Sequence, residues 1–158
     1  MDVRPLREAD LRPLRQMLEG IVEFRPDEVA CAAELAELAV RDPSGSGYHA
    51  LAAERDGRLA GYLSYGPTPL APGTFDLYWI ASAAWARGQG AGSALLRAME
   101  AALRSRGARL VRVETSSITE YAPTRTFYER MRYLPAGVIG DFYHPGDDLV
   151  ILTKRLDR

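Results

Sequence analysis

Three closely spaced glycines mark the segment of this sequence most suited to chemistry. Gly88, Gly90 and Gly92 lie in the run RGQGAG, between the apolar segment FDLYWIA and the apolar-striped segment SALLRAMEAAL. Glycine lets the backbone approach a ligand without a Cβ in the way. The start of a helix adds unpaired N–H groups and the positive end of its dipole. This junction therefore predicts a phosphate-binding loop, with Arg87 adding positive charge.

Two well-known phosphate loops fit the run poorly. A nucleoside-triphosphate loop needs a lysine and then Ser or Thr after its last glycine, but Gly92 is followed by Ser93 and Ala94. A dinucleotide-binding loop is a stronger rival, because Glu114 ends the next predicted strand at about the position of a ribose-binding acid. That fingerprint lacks its third glycine here, however, and the chain upstream predicts a hairpin where a parallel sheet is required.

Periodicity and turn residues predict the elements that position this loop. Helices are expected from Ala9 to Glu19, from Pro26 towards Asp42 with Val29, Leu35, Leu38 and Ala39 as its apolar side, from about Ala91 to Arg106, and from Pro123 to about Arg132. Pro43 to Gly47 reads as a flexible loop, and Glu100 with Arg104 as an exposed pair. Strands are expected in YHALAAE and LAGYLSYG, joined by the hairpin turn Asp56-Gly57, and in TFDLYWIA, ARLVRVET, AGVIGDFY and DLVILTKRL.

Size and composition limit the class of protein. The 158 residues, 47% hydrophobic and 26% charged, predict one mixed α/β domain over residues 1–158. The net charge of −1 gives no reason to expect a nucleic-acid partner, and no segment has the length of a membrane span. Cys31 is the single cysteine, which fits a reducing, cytoplasmic setting and a small buried side chain. The oligomeric state stays open, a homodimer included.

The run from Arg87 to Gly92 resembles the glycine motif of the GNAT family of N-acetyltransferases, usually written Gln/Arg-x-x-Gly-x-Gly/Ala. A second family signature, a short helix with an apolar residue before a Tyr-Glu pair, followed by a turn and an aromatic residue, is matched by FYERMRY, Phe127 to Tyr133. The tail DFYHPGDDLVILTKRL is similar to the branch that includes ribosomal-protein alanine N-acetyltransferases. The resemblance covers most of the chain and implies a mixed, mostly antiparallel sheet with a splayed central strand pair.

The resemblance also implies a reaction and a cosubstrate. Family members transfer an acetyl group directly from acetyl-CoA to an amine, and the acceptor here would be a small amine or a peptide or protein amine. The coenzyme would be held by main-chain groups of the motif strand and by the loop and first helical turn. The residues concerned are Ile80, Ala81, Ser82, Arg87, Gly88, Gln89, Gly90, Ala91, Gly92 and Ser93. Tyr128 matches the tyrosine placed near the coenzyme sulfur as general acid.

Two carboxylates are candidates for the base. Glu114 matches a glutamate at the end of the corresponding strand in the alanine acetyltransferase branch, and Asp76 lies on the motif strand. Strand alternation predicts that Asp76 shares a face with Tyr78 and Ile80, and that Glu114 shares one with Arg112, with which it could simply form an ion pair. The choice between the two acids is open at this point.

The remaining candidates surround these residues. Tyr143, Asp147 and Asp148 in the final hairpin would border the acceptor site, where acidic groups suit a cationic amine. Trp79 reads as a core residue, and Trp85 either covers the coenzyme or packs. His49 and His144 lack partners at metal-ligand spacing, so no metal is expected. Members commonly carry Asn at the position of Tyr121 and Gly at that of Arg132.

Three other functions are compatible with the same residues. The donor could be a different acyl-CoA, the chain could bind acyl-CoA without catalysis, or the glycine loop could bind a dinucleotide. Candidate acids that accompany the loop argue against a non-catalytic module. The sequence therefore predicts an acetyl-CoA-dependent N-acetyltransferase.

Overall fold

Seven strands form one sheet in residues 1–157, the part of the chain that the computed structural model describes. Their order is β1-β2-β3-β4-β5-β7-β6, and among these neighbours only β4 and β5 run parallel. The mostly antiparallel mixed sheet is thus confirmed. The strands are β1 Asp2–Pro5, β2 His49–Arg55, β3 Arg58–Pro67, β4 Thr74–Ser82, β5 Leu110–Ser116, β6 Leu134–His144 and β7 Asp147–Arg155.

Helices cover both faces of this sheet. They are α1 Leu11–Glu19, α2 Pro26–Arg41, α3 Pro43–Ser46, α4 Ala91–Ser105 and α5 Ala122–Arg130, with single 3₁₀ turns at Glu8–Asp10, Ala84–Ala86 and Thr119–Tyr121. One apolar core lies between the sheet and α4 with α5, and a second lies between the sheet and α1 with α2. Both cores meet the central strands β3 and β4, which holds these strands between two layers of helices.

The two parallel strands separate partway along their length. The pairing of β4 with β5 ends at Leu77 and Val113, whereas the pairing of β4 with β3 continues to Ser82. Beyond Leu77, β4 therefore has a strand neighbour on one side only. Its backbone groups on the open side are available to a ligand.

A β-bulge lies at the same point. Tyr78 has no partner in β3, because the register between the two strands shifts there by one residue. The bulge reverses the alternation of side chains, so Leu77 and Ile80 both pack into the core beside α4. The prediction that Asp76 shares a face with Ile80 was wrong for this reason.

Local turn chemistry explains most of the element boundaries. Asp56 and Gly57 form the tight β2–β3 turn, both with positive φ, as a hairpin of this length requires. Gly107, also at positive φ, follows the end of α4. The segment from Pro43 to Gly47, predicted as a loop, contains the one-turn helix α3. The backbone N–H of Gly45 donates there to Asp42 Oδ1 at 3.0 Å.

The buried face of α2 consists of small residues rather than leucines. Val29, Ala32, Ala33 and Ala36 are buried, whereas Leu35 is only partly covered. Alanine side chains bury little area but let a helix approach the sheet closely. Cys31 lies off this stripe and is exposed, so its prediction as a small buried residue was wrong.

Glu100 is buried, contrary to the prediction of an exposed pair with Arg104. Its side chain accepts hydrogen bonds from Lys154 Nζ at 2.8 Å and from the Tyr133 hydroxyl at 3.2 Å, while Arg104 lies 3.5 Å away. Leu103 and its apolar neighbours pack this side of α4 against the sheet. Glu100 lies on the same side of the helix and therefore contacts Lys154 on β7. The Lys154 cation beside this carboxylate offsets the cost of burying it.

Candidate active site

The glycine loop connects β4 to α4 and presents free backbone donors. Gly88 and Gly90 adopt left-handed φ values of 72° and 87°, and a Cβ at either position would meet nothing within 4 Å. The first bond of the helix runs from the N–H of Ala94 to the carbonyl of Gly90 at 2.9 Å. The N–H groups of the preceding helical turn have no intrahelical acceptor. Open space in front of such donors is the arrangement that a phosphate group requires.

A first cavity of about 510 Å³ opens beside this loop. Its walls come from the end of β4, the glycine loop, the start of α4, the α1–α2 connection and α5. Nine of the ten predicted coenzyme residues line it: Ile80, Ala81, Ser82, Arg87, Gly88, Gly90, Ala91, Gly92 and Ser93. The cavity thus runs from the open side of β4 to the helix terminus.

Gln89 is the predicted coenzyme residue that does not line this cavity. Its amide donates to the carbonyl of Trp85 at 2.6 Å and accepts from Arg55 Nη1 at 2.6 Å. Trp85 also lies outside the cavity, with the guanidinium of Arg58 4.5 Å from its ring centroid. These contacts fasten the loop to the β2–β3 hairpin, so Gln89 holds the loop's shape.

A second cavity, of about 690 Å³, lies where β4 and β5 separate. All three predicted catalytic residues, Asp76, Glu114 and Tyr128, line it, together with Tyr143 and Asp147 of the final hairpin. Asp148 does not line it, because its carboxylate accepts the N–H of Asp141 at 2.9 Å within the hairpin. Trp79, expected in the core, is half-buried and forms part of the wall.

The two cavities share five lining residues. Glu23, Phe24, Ile80, Tyr121 and Thr124 line both. A ligand in the first cavity and a ligand in the second can therefore meet beside Ile80, at the open edge of β4. This arrangement suits a reaction between two substrates that enter from opposite sides.

Tyr128 on α5 lies in the wall of the second cavity. The side chain is 3% exposed, and its hydroxyl forms no hydrogen bond with any of the residues that the structure describes. Burial raises the pKa of Tyr128 above the usual range, so the hydroxyl stays protonated at neutral pH. A buried tyrosine normally finds a partner. An unpartnered one in a cavity wall can give its proton to a ligand.

Asp76 and Glu114 face each other across Arg112. The Nε–H of Arg112 donates to Asp76 Oδ1 at 2.7 Å, and Nη1 lies 3.7 Å from Glu114 Oε1. The bond to Asp76 raises the pKa of the Arg112 guanidinium, which stays charged. The Asp76 side chain is 10% exposed and that of Glu114 is 43% exposed. Glu114 is therefore the more accessible acid of the two.

The comparison with known families agrees with this geometry. Residues 11–133 match the acetyltransferase (GNAT) family. The chain belongs to this family. The resemblance seen in the glycine run and in the helix of Tyr128 is confirmed. The sequence has no match among curated proteins.

Solved structures similar to this GNAT chain match it over nearly the whole of its sequence. A crystal structure from Desulfovibrio desulfuricans, proposed to be a GNAT acetyltransferase, is 39% identical over 98% of both chains, with a TM-score of 0.93. The ribosomal-protein-alanine N-acetyltransferase from Brucella melitensis is 22% identical over 98% of this chain and 99% of its own, with a TM-score of 0.77. A structure from Salmonella typhimurium with acetyl-CoA is 18% identical over 100% of this chain and 95% of its own, with a TM-score of 0.77.

GNAT acetyltransferases use acetyl-CoA as their cosubstrate, and the first cavity has the features that such a ligand requires. The open glycine loop suits the pyrophosphate, and the unpaired edge of β4 suits the amide-containing arm that ends in the thioester. Among residues 1–157 no cluster of His, Cys, Asp and Glu has the geometry of a metal site. Nor is any helix in that range long and apolar enough to cross a membrane.

Sequence reasoning missed one whole side of the GNAT site. Glu23 and Phe24, in the connection between α1 and α2, line both cavities, and Glu28 and Cys31 on α2 line the second. These residues belong to no motif, because the loop reaches the site only through the packing of α1 and α2 on the sheet. The Phe24 ring meets Trp79 edge to face at a centroid distance of 5.5 Å, a contact between residues far apart in sequence.

Tyr121 and Arg132 depart from the family pattern for different reasons. Tyr121 lines both cavities, and burial followed by the nearby Glu28 raises its pKa to about 12. It therefore replaces a smaller side chain at the meeting point. Arg132 lies in the turn between α5 and β6 with a φ of 65°, the left-handed conformation that explains why glycine is usual there.

Proposed function

We propose that this enzyme transfers an acetyl group directly from acetyl-CoA to a primary amine. The observation that carries the proposal is the meeting of the two cavities beside Ile80, with Tyr128 and Glu114 in the wall of the second. One cavity has the features of a coenzyme site, and the other is lined by carboxylates and aromatic rings. An amine is the acceptor chemistry that such a lining favours.

Each group then has a defined task in the transfer. Acetyl-CoA supplies the acetyl group and a thiolate leaving group. The backbone N–H groups on the open side of β4, near Ile80, bind the thioester carbonyl and polarise it. Glu114 accepts the proton that the amine loses as the N–C bond forms. As the C–S bond breaks, the Tyr128 hydroxyl gives its proton to the sulfur.

We assign the base role to Glu114 rather than to Asp76 because of Arg112. Asp76 is buried and holds the Arg112 guanidinium at 2.7 Å, whereas Glu114 is more exposed and lies 3.7 Å from the same group. A carboxylate engaged in a short charge-assisted bond is a poor proton acceptor. Asp76 is then a positioning residue, which keeps Arg112 from forming a close pair with Glu114.

The lining of the second cavity also includes a thiol, Cys31. A transfer through an acyl-cysteine would make this residue essential, whereas direct transfer does not need it. Cys31→Ser is therefore an informative variant, because it keeps the size of the side chain and removes the nucleophile. We expect it to retain turnover and to show sequential two-substrate kinetics. Loss of turnover, with ping-pong kinetics in the parent enzyme, would contradict direct transfer.

The first experiment is a calorimetric titration of the protein with acetyl-CoA, with NAD and succinyl-CoA in parallel. We expect binding of acetyl-CoA in the micromolar range and none of NAD, followed by release of free thiol when amines are added. Binding of NAD alone would contradict the assignment of the glycine loop. Binding of acetyl-CoA without turnover of any amine would favour a non-catalytic module, and faster turnover of succinyl-CoA would favour another donor.

A further inference from the structure

The second cavity has more negative charge than an acceptor with one amine would require. Six carboxylates line it, from Glu23, Asp27, Glu28, Asp76, Glu114 and Asp147, against the two guanidinium groups of Arg25 and Arg112. The chain as a whole has a net charge of only −1. The excess of acidic groups is therefore a local property of this cavity.

Three of the six carboxylates are neutralised by arginines of the protein itself. Asp76 pairs with Arg112 at 2.7 Å and Asp27 with Arg25 at 3.1 Å. Glu23 lies 3.5 Å from Arg87, which belongs to the glycine loop. The negative charge left over comes from the other three acids.

Those three acids lie on three different elements. Glu28 on α2 accepts the backbone N–H of Arg25 at 2.8 Å, and Asp147 on β7 accepts the hydroxyl of Ser116. Within the described residues neither forms an ion pair with a lysine or arginine. Glu114 on β5 has only the Arg112 group that Asp76 already holds. Glu28 thus caps the start of α2 and Asp147 is hydrogen-bonded to β5, but no cation of the described chain balances either charge.

The three acids surround one space rather than three separate surfaces. Burial raises the pKa of Tyr143, and the nearby Glu114, Asp147 and Glu28, in that order, raise it further. The geometry agrees, since all three acids line the second cavity together with Tyr143. Aromatic groups complete the wall, since Phe24, Tyr78, Trp79, Tyr121 and Tyr143 also line the cavity. Aromatic faces combined with carboxylates attract alkylammonium groups.

The reacting nitrogen alone does not balance this lining, because it brings at most one positive charge when it binds and has none when it reacts. An amine attacks a thioester only when it has lost its proton, so it is neutral at the moment of transfer. A separate observation points to a ligand here, because Tyr128 is 3% exposed in the same wall and its hydroxyl has no hydrogen-bond partner in the described chain. The lining thus calls for an acceptor with a second group that stays positively charged.

We propose that the acceptor is doubly cationic: it carries, besides the amine that is acetylated beside Glu114, a second ammonium or guanidinium group bound by Glu28 and Asp147. The inference rests on the proposed function, because it treats the second cavity as the acceptor site. A small diamine and a peptide whose amino terminus is followed by a basic residue share this chemistry. Neutral, monocationic and zwitterionic amines of the same length lack it.

The test measures binding and turnover separately. The probes are a five-carbon diamine, the amino alcohol of the same length and the amino acid of the same length, titrated into the protein saturated with coenzyme A. We expect the diamine to bind at least about tenfold more tightly than the amino alcohol, and the amino acid to bind least. A peptide beginning Ala-Arg, compared with one beginning Ala-Glu, tests the second source in the same way.

Two variants connect any preference to the named acids. Glu28→Gln and Asp147→Asn each keep the size of the side chain, and each is expected to weaken diamine binding by about threefold to tenfold while leaving the amino alcohol unchanged. Glu129→Gln, on the exposed side of α5 and outside both cavities, serves as the control. Melting temperatures show whether any variant has lost its fold.

The outcomes separate this inference from the proposed function. Equal affinity for the diamine and the amino alcohol, or equal loss of both in the variants, would overturn the inference even if both amines are acetylated. Tighter binding of the diamine that Glu28→Gln weakens would support it even if turnover is absent. Absence of thiol release with every amine would instead count against the proposed transfer.

Discussion

Arg112 holds the buried carboxylate of Asp76 through a hydrogen bond of 2.7 Å from Nε to Oδ1. The pair joins the parallel strands β4 and β5 one residue before their pairing ends at Leu77 and Val113. It therefore closes the sheet at the base of the second cavity, while Glu114, two residues further along β5, faces open space. The two acids lie close together yet have different surroundings.

This difference predicts unequal effects of neutralising the two acids. Glu114→Gln should lower kcat by about two orders of magnitude or more, the usual contribution of a general base, with little change in acetyl-CoA affinity. Asp76→Asn should lower kcat by about tenfold at most, because it acts only through Arg112. Stopped-flow or steady-state thiol release measures both. The reverse ranking would assign the base to Asp76.

The glycine loop predicts a loss of coenzyme affinity on introducing a carboxylate. Gly90→Glu places a negative charge beside the pyrophosphate site and should raise the Kd for acetyl-CoA at least about a hundredfold. Gly107→Glu is a matched control, since Gly107 also has a positive φ and open space but lies at the far end of α4. Equal affinity in Gly90→Glu and Gly107→Glu would contradict the assignment of the glycine loop to the pyrophosphate.

Removal of the Tyr128 hydroxyl should affect catalysis without affecting stability. Tyr128→Phe takes away a group that has no hydrogen-bond partner in the described chain, so the free energy of unfolding should stay the same. We expect kcat to fall by about two orders of magnitude, with acetyl-CoA affinity nearly intact. Tyr65→Phe, a buried tyrosine that lines neither cavity, controls for the loss of a hydroxyl. Unchanged turnover in Tyr128→Phe would exclude it as the acid.

Arg132 has a left-handed backbone conformation, so replacing it with glycine should stabilise the fold. Arg132→Gly relieves a conformation that costs most residues roughly 1–2 kcal/mol, and the side chain is exposed. After the entropy that glycine adds to the unfolded chain, a net gain of about 1 kcal/mol should raise the Tm by about 2–4 °C. Arg97→Gly, at an exposed position inside α4, should lower the Tm instead. Calorimetry of both variants checks the opposite signs.

Asp10 predicts a pH-dependent contribution to stability. The hydrogen bond from Arg4 at 2.7 Å, followed by the backbone N–H of Arg7, lowers the pKa of this buried carboxyl group. Because the pKa is lower in the folded state, the stabilisation is present above the unfolded value of about 3.9 and is lost as the pH falls through the folded value. Asp10→Asn should cost about 1–3 kcal/mol at pH 7. In urea unfolding the difference should shrink on the acid side, and a constant difference would contradict this origin.

The elements predicted from the sequence depended on signals that lie within a few residues of one another. The Asp56-Gly57 turn, the apolar stripe of α4 and the glycine loop are local, and the structure confirms them. The bulge at Tyr78 gives no such signal, because it exists only in the register between β3 and β4. The prediction that the Ile80 side chain lies on the same face as Asp76 was wrong for that reason.

The same distinction holds for the candidate site, where residues in local motifs were predicted and residues brought in by packing were not. Ten residues were predicted to hold the coenzyme from the glycine motif and its strand, and nine of them line the first cavity. The acidic lining contributed by α2 could not be predicted, since Glu28 and its neighbours look like ordinary solvated residues at a helix start. Glu100 shows the opposite error, because a charged residue at helical spacing was taken as exposed while its partner Lys154 lay far along the chain.

The pairing of Lys154 with Glu100 also bears on how the enzyme withstands its own cosubstrate. Lys154 is the only lysine in the sequence, and its Nζ is held by Glu100 and by the carbonyl of Met131 at 2.9 Å. Thioesters modify accessible, uncharged amines, and arginine side chains do not lose their proton in proteins. The protein therefore exposes no lysine amine to spontaneous or self-inflicted acylation. The enzyme's own lysine side chain therefore does not compete with the acceptor amine for acetyl-CoA.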